Sequence, residues 1–370
     1  MQILALQRGK FSGISNALLD AWSVGAPDDQ VVRCDLDEGY FENKVDKLRA
    51  LPELVKASAS MGIAEARRSY RQIALRSRSN LARLERAVGE ACDRHRHECT
   101  LTFQTLIPVP PSDKPNFIYT DHAILTNRYY PDGEAAIARW RDWLPTEKAL
   151  IQQAAMVFTM SRHVTDSLIE FYSIPSERVQ CVGAGFNARR QDSDIETPAR
   201  TKSILFVGLD WERKGGPQLV EAFARVRKTQ PDAKLVVVGC EPDVKVDGVE
   251  VLGVVPIERV GDLMSEACCF CMPSLREPFG LVYLEAMNAG LPVVALNLGA
   301  PRDLVENGET GFLVEPNDIA GLAGALEKIV ANLEVCAMMG SRARDNVSAN
   351  YTWELTQERM AAAMREVMAS

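Results

Sequence analysis

The stretch "SLREPFGLVYLEAMNAG", residues 274–290, sets two carboxylates, Glu277 and Glu285, eight positions apart. Between them Pro278-Phe279-Gly280-Leu281 opens an apolar, helix-patterned run. A helix that begins near Phe279–Gly280 presents free N–H groups at the positive end of its dipole, a ready receptor for a pyrophosphate. Gly280 lets the backbone approach such an anion closely. At 1.5 Å of rise per residue the two carboxylates fall roughly 8–10 Å apart, which suits the two polar ends of one ligand with a diphosphate between them. Carboxylates accept hydrogen bonds from hydroxyls, so sugar and ribose hydroxyls are natural partners. The plainer alternative makes Glu277 a helix-capping acid and Glu285 a surface helix residue.

A second stretch, "GLDWERKGG" (208–216), follows an apolar run and ends on Arg213 and Lys214 just before a helical pattern. A flexible cation beside a helix N-terminus is a sound phosphate ligand. A charged pair beside a surface turn is the alternative reading of this loop. The triplet "DLD" at 35–37 has the form that holds a metal–diphosphate in some transferases, but such triplets are common, and Lys214 with a helix N-terminus already supplies the charge. "CCFC" (268–271) has no second Cys/His pair at zinc-ligand spacing. No metal and no cofactor are therefore expected. No G-x-G-x-x-G follows any strand candidate, which argues against a dinucleotide oxidoreductase.

These residues need strands and helices to place them. Strand candidates in the first half are 3–7, 101–107, 116–121, 156–161 and 179–185. In the second half they are 203–208, 234–239, 249–253, 268–274 and 292–296. Most are short, β-rich and apolar on both faces, as buried parallel strands are. Amphipathic patterns at 217–229, 257–267 and 318–332 run between them, giving an α/β chain of repeated βα units. Ligands in such sheets sit beyond the carboxyl ends of the strands, which picks out the ends of 203–208, 268–274 and 116–121. The polar stretch 188–202 reads as a linker between domains spanning 1–190 and 200–351, and a helical pattern closes the chain at 352–370.

At 370 residues the chain accommodates two domains. With 46% hydrophobic and 25% charged residues and a net charge of −8, the composition is that of a soluble globular protein with no whole-chain attraction to nucleic acid. Nine cysteines without paired spacing read as reduced thiols, and the opening residues lack a signal peptide's apolar run, so a cytoplasmic location is expected. Residues 65–86 carry seven arginines against two glutamates, with Ile73, Leu75, Leu81 and Leu84 at helical spacing. This is either a solvated helix or a basic face, including Arg67, Arg68, Arg71, Arg76, Arg78 and Arg83, for peripheral contact with an anionic membrane.

"EPFGLVYLE" resembles the E-x7-E signature of retaining GT-B glycosyltransferases, in particular glycosyltransferase family 4, the group 1 glycosyltransferases. "FVGLDWERKGG", "CMPSLREPFG", "EAMNAGLPVVALNLGAPRDLVENGETGFLVEP" and "SRHVTDSLIEFYSIPSERVQCVGAGFN" agree with it in order and spacing, over roughly residues 150–350. The resemblance implies a GT-B fold, two Rossmann-like domains facing across a cleft, the first binding the acceptor and the second a nucleotide sugar. It implies a metal-independent hexosyltransferase that retains anomeric configuration, with a sugar, glycan or glycolipid acceptor and UDP as the favoured base. Glu277 would then hold donor-sugar hydroxyls and Glu285 the ribose. Gly208, Lys214 and the Phe279–Gly280–Leu281 backbone would hold the diphosphate. Many members carry arginine where this chain has Leu209, and Arg213 is the candidate substitute. Asp121 and His122 are both candidates for the family's strand-end histidine near the donor sugar; as alternatives, Asp121 caps a helix and His122 packs at the surface. Gly9 and Gly13 resemble the family's acceptor-side glycine loop, without its Gly-Gly pair. The same resemblance leaves room for a sugar synthase or phosphorylase, or a non-catalytic nucleotide-sugar-binding scaffold.

Overall fold

The computed structural model of the chain describes residues 1–9, 13–37, 51–62, 69–187 and 200–370. Most of the expected linker therefore lies outside the described residues, as do Arg67 and Arg68. The chain divides into two compact units: unit 1 comprises Met1–Arg128, Asp132–Gly183 and Thr356–Ser370, and unit 2 comprises Tyr129–Pro131 and Ala184–Leu355.

Unit 1 is built on a six-stranded sheet of order β2-β1-β3-β4-β5-β6, every pair parallel. Its strands are β1 (Gln2–Gln7), β2 (Gln30–Asp35), β3 (Cys99–Phe103), β4 (Asn116–Thr120), β5 (Met156–Thr159) and β6 (Val179–Cys181). β1, β3, β4 and β5 are almost wholly buried because helices cover both faces, which is why they read as continuous apolar runs. Helix Leu144–Gln153 and helix Arg162–Tyr172 pack Ile151, Leu168 and Tyr172 against Ile118 and Val157. Helix Arg78–Arg94 sets Leu84 and Val88 against Leu4 and Leu6. The last helix, Trp353–Ala369, returns its carboxyl-terminal part to unit 1, where Arg359 donates to Val182 O at 2.9 Å and Arg365 pairs with Asp29.

Unit 2 repeats the plan with the order β12-β11-β10-β7-β8-β9, again parallel throughout. The strands are β7 (Ser203–Val207), β8 (Lys234–Val238), β9 (Val249–Gly253), β10 (Cys269–Cys271), β11 (Val293–Leu296) and β12 (Gly311–Val314). Cys268, Cys269, Cys271 and Cys336 are buried; Cys336 donates to Cys268 O at 2.7 Å and Cys268 to Ser203 O at 3.3 Å. Burial pushes the thiols of Cys271 and Cys336 up, and a hydrogen bond with Cys268 together with burial does the same for Cys269, so they pack as small apolar side chains. Arg200 reaches four carbonyls, those of Met264, Ala267, Ala289 and Gly290, at the carboxyl ends of helix Ile257–Glu266 and helix Leu281–Asn288.

Two strands escape the periodicity reading. β2 and β12 are edge strands: β2 is half-exposed with Arg33 in its middle, and β12 is a four-residue run. The strand expected over 101–107 stops at Phe103, where Gln104 takes a left-handed φ of 68°. The single basic helix expected over 65–86 is also corrected. Helix Tyr70–Leu75 ends, Ser77 accepts from Asn80 N at 3.2 Å as an N-cap, and helix Arg78–Arg94 begins. Arg76 stacks on Trp140, 4.4 Å from its ring, and Arg83 donates to Leu36 O, Asn80 and Asp37. Both are drawn into unit 1 and away from any basic face. Among the described residues no helix is long and apolar enough to cross a membrane.

Candidate functional site

In unit 2 the sheet order reverses between β7 and β10, so the loops that follow these strands flank its switch point. The structure brings the two loops together. Leu275 N donates to Arg213 O at 2.9 Å, and Arg213 Nη1 to Arg276 O at 2.7 Å. Gly215 makes this approach possible: its φ is 76°, and a Cβ there would stand 2.0 Å from Pro273 O. Helix Gly216–Thr229 leaves the first loop and helix Leu281–Asn288 leaves the second.

Lys214 lies at the centre. Its side chain crosses Gly208, whose added Cβ would meet Lys214 Cγ at 3.1 Å, and its ammonium pairs with Glu277. The two side chains are only 13% and 7% exposed, so the pair is largely removed from solvent screening. Glu277 in turn lies against Gly280, the N-cap of helix Leu281–Asn288, with φ 83°. A Cβ on Gly280 would meet the Tyr283 ring at 2.7 Å and Glu277 Cγ at 3.0 Å. Phe279 is buried. Gly208, Lys214, Glu277 and Gly280 thus converge, with Leu281 opening the helix. Tyr283 Oη donates to Met272 O at 2.6 Å and ties that helix to the end of β10.

Glu285 sits further along the same helix, and burial pushes its carboxyl up from the usual carboxylate range. Arg213, the candidate substitute for the missing arginine, pairs with Asp210 at 3.1 Å while bracing the second loop through Arg276 O. Leu209 is 79% exposed.

Unit 1 has its own order reversal, between β1 and β3. Gly9, after β1, donates its N–H to Asp35 Oδ1 at 2.9 Å, and Gly13 is the N-cap of helix Ile14–Gly25. The triplet expected to be a chance match is held by protein groups: Asp37 accepts from Arg8 and Arg83, and Asp35 from Gly9 N and Asp37 N. Asp121 and His122 follow β4. His122 Nε2 is 3.0 Å from Asn127 Nδ2, and Thr120 Oγ1 donates to His122 O at 2.7 Å.

Sequence reading missed two parts of this edge. Gln104, in its left-handed conformation directly after β3, donates from Nε2 to Asp121 Oδ1 at 3.3 Å. A polar residue closing an apolar strand is the signal that could have found it. The other is Glu147, 2% exposed, which accepts from Thr105 Oγ1 at 2.8 Å, Ile124 N at 2.9 Å and the Tyr172 hydroxyl. Tyr172 Oη also accepts from Leu125 N at 3.0 Å, so these side chains satisfy the start of the turn behind His122. Burial pushes the Glu147 carboxyl up, against hydrogen bonds that favour its charge. A separate cavity of about 540 Å³ lies at the amino ends of β3, β4 and β5, lined by Glu98, the 109–115 loop and Gln153. It is the wrong end for the strand-edge chemistry, and none of the candidate residues lines it.

Residues 201–332 match the family model described as glycosyl transferases group 1. The matched span is about a third of the chain. It contains the whole Gly208–Lys214–Glu277–Gly280 cluster and Glu285. Glycogen synthase of Mycobacterium tuberculosis is 28% identical over 273 residues, which cover 70% of this chain and 65% of that protein. Sucrose-phosphate synthase from Thermosynechococcus elongatus superposes with a TM-score of 0.69 at 19% identity, covering 100% of both chains. Anabaena HepE, solved in complex with UDP-glucose, gives 0.66 at 19% identity over 99% of this chain and 100% of its own. Two parallel six-stranded α/β units with these structural neighbours make the fold GT-B.

Proposed function

We propose that the protein is a retaining glycosyltransferase of family 4 that moves a hexose-type sugar from a nucleoside-diphosphate sugar to an acceptor hydroxyl, in glycan, glycolipid or cell-envelope polysaccharide synthesis. The observation that carries the reading is the largely buried Lys214–Glu277 pair, with Glu277 against the N-cap Gly280 of helix Leu281–Asn288, at the switch point of the unit 2 sheet. Lys214 and the helix N–H groups stabilise the charge that develops on a leaving diphosphate. Glu277 takes donor-sugar hydroxyls and Glu285 the ribose. Asp121 and His122 on unit 1 are proposed to serve the sugar and the acceptor, with Gly9 and Gly13 on the acceptor side. UDP is the favoured base; the UDP-glucose complex of HepE supports that choice. A cation already serves the diphosphate, so the reaction is proposed to need no metal.

The exposed Leu209, standing where many family members carry arginine, favours a second reading: a domain that binds nucleotide sugars without turnover. Nucleotide release from UDP-, GDP- and ADP-glucose, with a panel of sugar and lipid acceptors, separates the two. The enzyme reading expects release that survives EDTA, a loss of turnover in Glu277→Ala and weaker nucleotide binding in Glu285→Ala, each roughly 10- to 150-fold for one charge-assisted hydrogen bond. Wild-type kinetics in both variants would sink it.

A further inference from the structure

We infer that Glu277 makes the site discriminate between a nucleotide sugar and the free nucleoside diphosphate, because the ion pair it forms with Lys214 is one that only a sugar-bearing diphosphate can replace without stranding a carboxylate. The inference rests on the nucleotide-sugar reading above.

The cation expected to meet the diphosphate is already neutralised within unit 2. Lys214 is paired with Glu277, and the neighbouring Arg213 is engaged by Asp210 and Arg276 O. Glu277 Cγ also lies close against Gly280, the N-cap of the helix whose N–H groups would receive a phosphate. An incoming anion therefore competes with Glu277 for the Lys214 ammonium, beside an uncapped helix end.

The two kinds of ligand differ in what they offer in return. A sugar diphosphate brings hydroxyl donors on its far side, and Glu277, turned from Lys214, can accept from them. A nucleoside diphosphate ends instead in a terminal phosphate, with one more negative charge and no such donor. It faces a nearly buried carboxylate across a short, poorly screened distance, which is unfavourable for both. The same arrangement thus receives the donor and expels the spent nucleotide. Replacing the carboxylate by an amide of the same shape should remove the penalty on the diphosphate while weakening the grip on sugar hydroxyls.

The test is calorimetric titration of the full chain and of Glu277→Gln with UDP-, GDP- and ADP-glucose, the matching nucleoside diphosphates, and inorganic pyrophosphate as a probe without base or sugar. The wild type should bind its preferred nucleotide sugar at least as tightly as the matching diphosphate. Glu277→Gln should bind the diphosphate and pyrophosphate about tenfold tighter or more, with no gain for the nucleotide sugar. Glu285→Gln, which alters a contact common to both ligands, should leave their ratio as it is in the wild type. The wild-type measurement stands if the variant does not fold. A wild type that prefers the free diphosphate by tenfold, or a Glu277→Gln ratio equal to the wild-type ratio, overturns the inference alone. If no nucleotide sugar and no diphosphate binds the wild type, the nucleotide-sugar reading falls and takes the inference with it.

Discussion

Each unit keeps a cation and a carboxylate near the loop that follows its first strand, and the two clusters are finished differently. In unit 1, Asp37 receives both Arg8, at 3.2 Å, and Arg83, at 2.6 Å. Arg8 also donates to Leu75 O, and Arg83 to Leu36 O and Asn80. Asp37 and Arg8 are 5% and 6% exposed. Donors and acceptors there are consumed by protein, and the cluster cements the sheet edge to helix Arg78–Arg94. In unit 2, Lys214 has Glu277 as its charged partner among the described residues, and the pair stands at a helix end that the protein does not cap with a side chain. Similar charges make a structural joint when saturated by several partners and, in the function proposed here, a receptor when held by a single exchangeable one.

The largest expected effect tests the joint. Asp37→Asn leaves two arginines in a poorly solvated cluster with an amide in place of their common anion, and should cost about 3–5 kcal/mol of stability in urea unfolding. Nucleotide binding at 20 °C by the folded fraction should be unchanged, since the receptor lies in unit 2. A stability loss under about 1 kcal/mol would mean that the unit 1 cluster is no more saturated than the unit 2 pair.

The second tests the receptor through pH. Burial raises the Glu285 carboxyl, so its neutral form persists to a higher pH in the folded protein than in the unfolded chain. Stability from this group is fully present below the unfolded value and is lost as pH rises through the folded one. Glu285→Gln should therefore be more stable relative to wild type at pH 7 than at pH 4. If Glu285 accepts from the ribose as a carboxylate, wild-type nucleotide affinity should fall as pH drops through its raised folded value, and the Gln variant should show a flatter profile. Parallel profiles would remove Glu285 from the ribose role.

The smallest effect concerns a position that neither cluster uses. Leu209→Arg adds a cation at an exposed site beside Gly208 and should tighten pyrophosphate binding about two- to fivefold at low salt, fading at high salt. No change would show that Lys214 and the helix end already meet the charge demand.

The contrast also explains what could be read from sequence. The unit 2 receptor is assembled from two short segments, 208–216 and 274–290, each at a strand-to-helix turn, so glycine, cation and carboxylate appear in order along the chain. The helix start expected near Phe279–Gly280 is found with Gly280 as N-cap. Strands buried on both faces announced themselves for the same local reason. The unit 1 features did not. Thr105, Ile124, Glu147 and Tyr172 come from separate elements, and no spacing along the chain marks them as one hydrogen-bonded group. Arg76 and Arg83 were legible as charge but not as buried charge, because their partners Trp140 and Asp37 lie 64 and 46 positions away.

Arg200 gives unit 2 a mechanical property. It lies just before β7 and grips the carbonyls of Ala289 and Gly290, just past the end of helix Leu281–Asn288. That helix is about 12 Å long, and its other end is the proposed seat of the diphosphate. Arg344 holds the same end through Asn288 O and Ala289 O. The two arginines therefore clamp one end of a short strut, and the far tip of that strut is the end proposed to meet a phosphate.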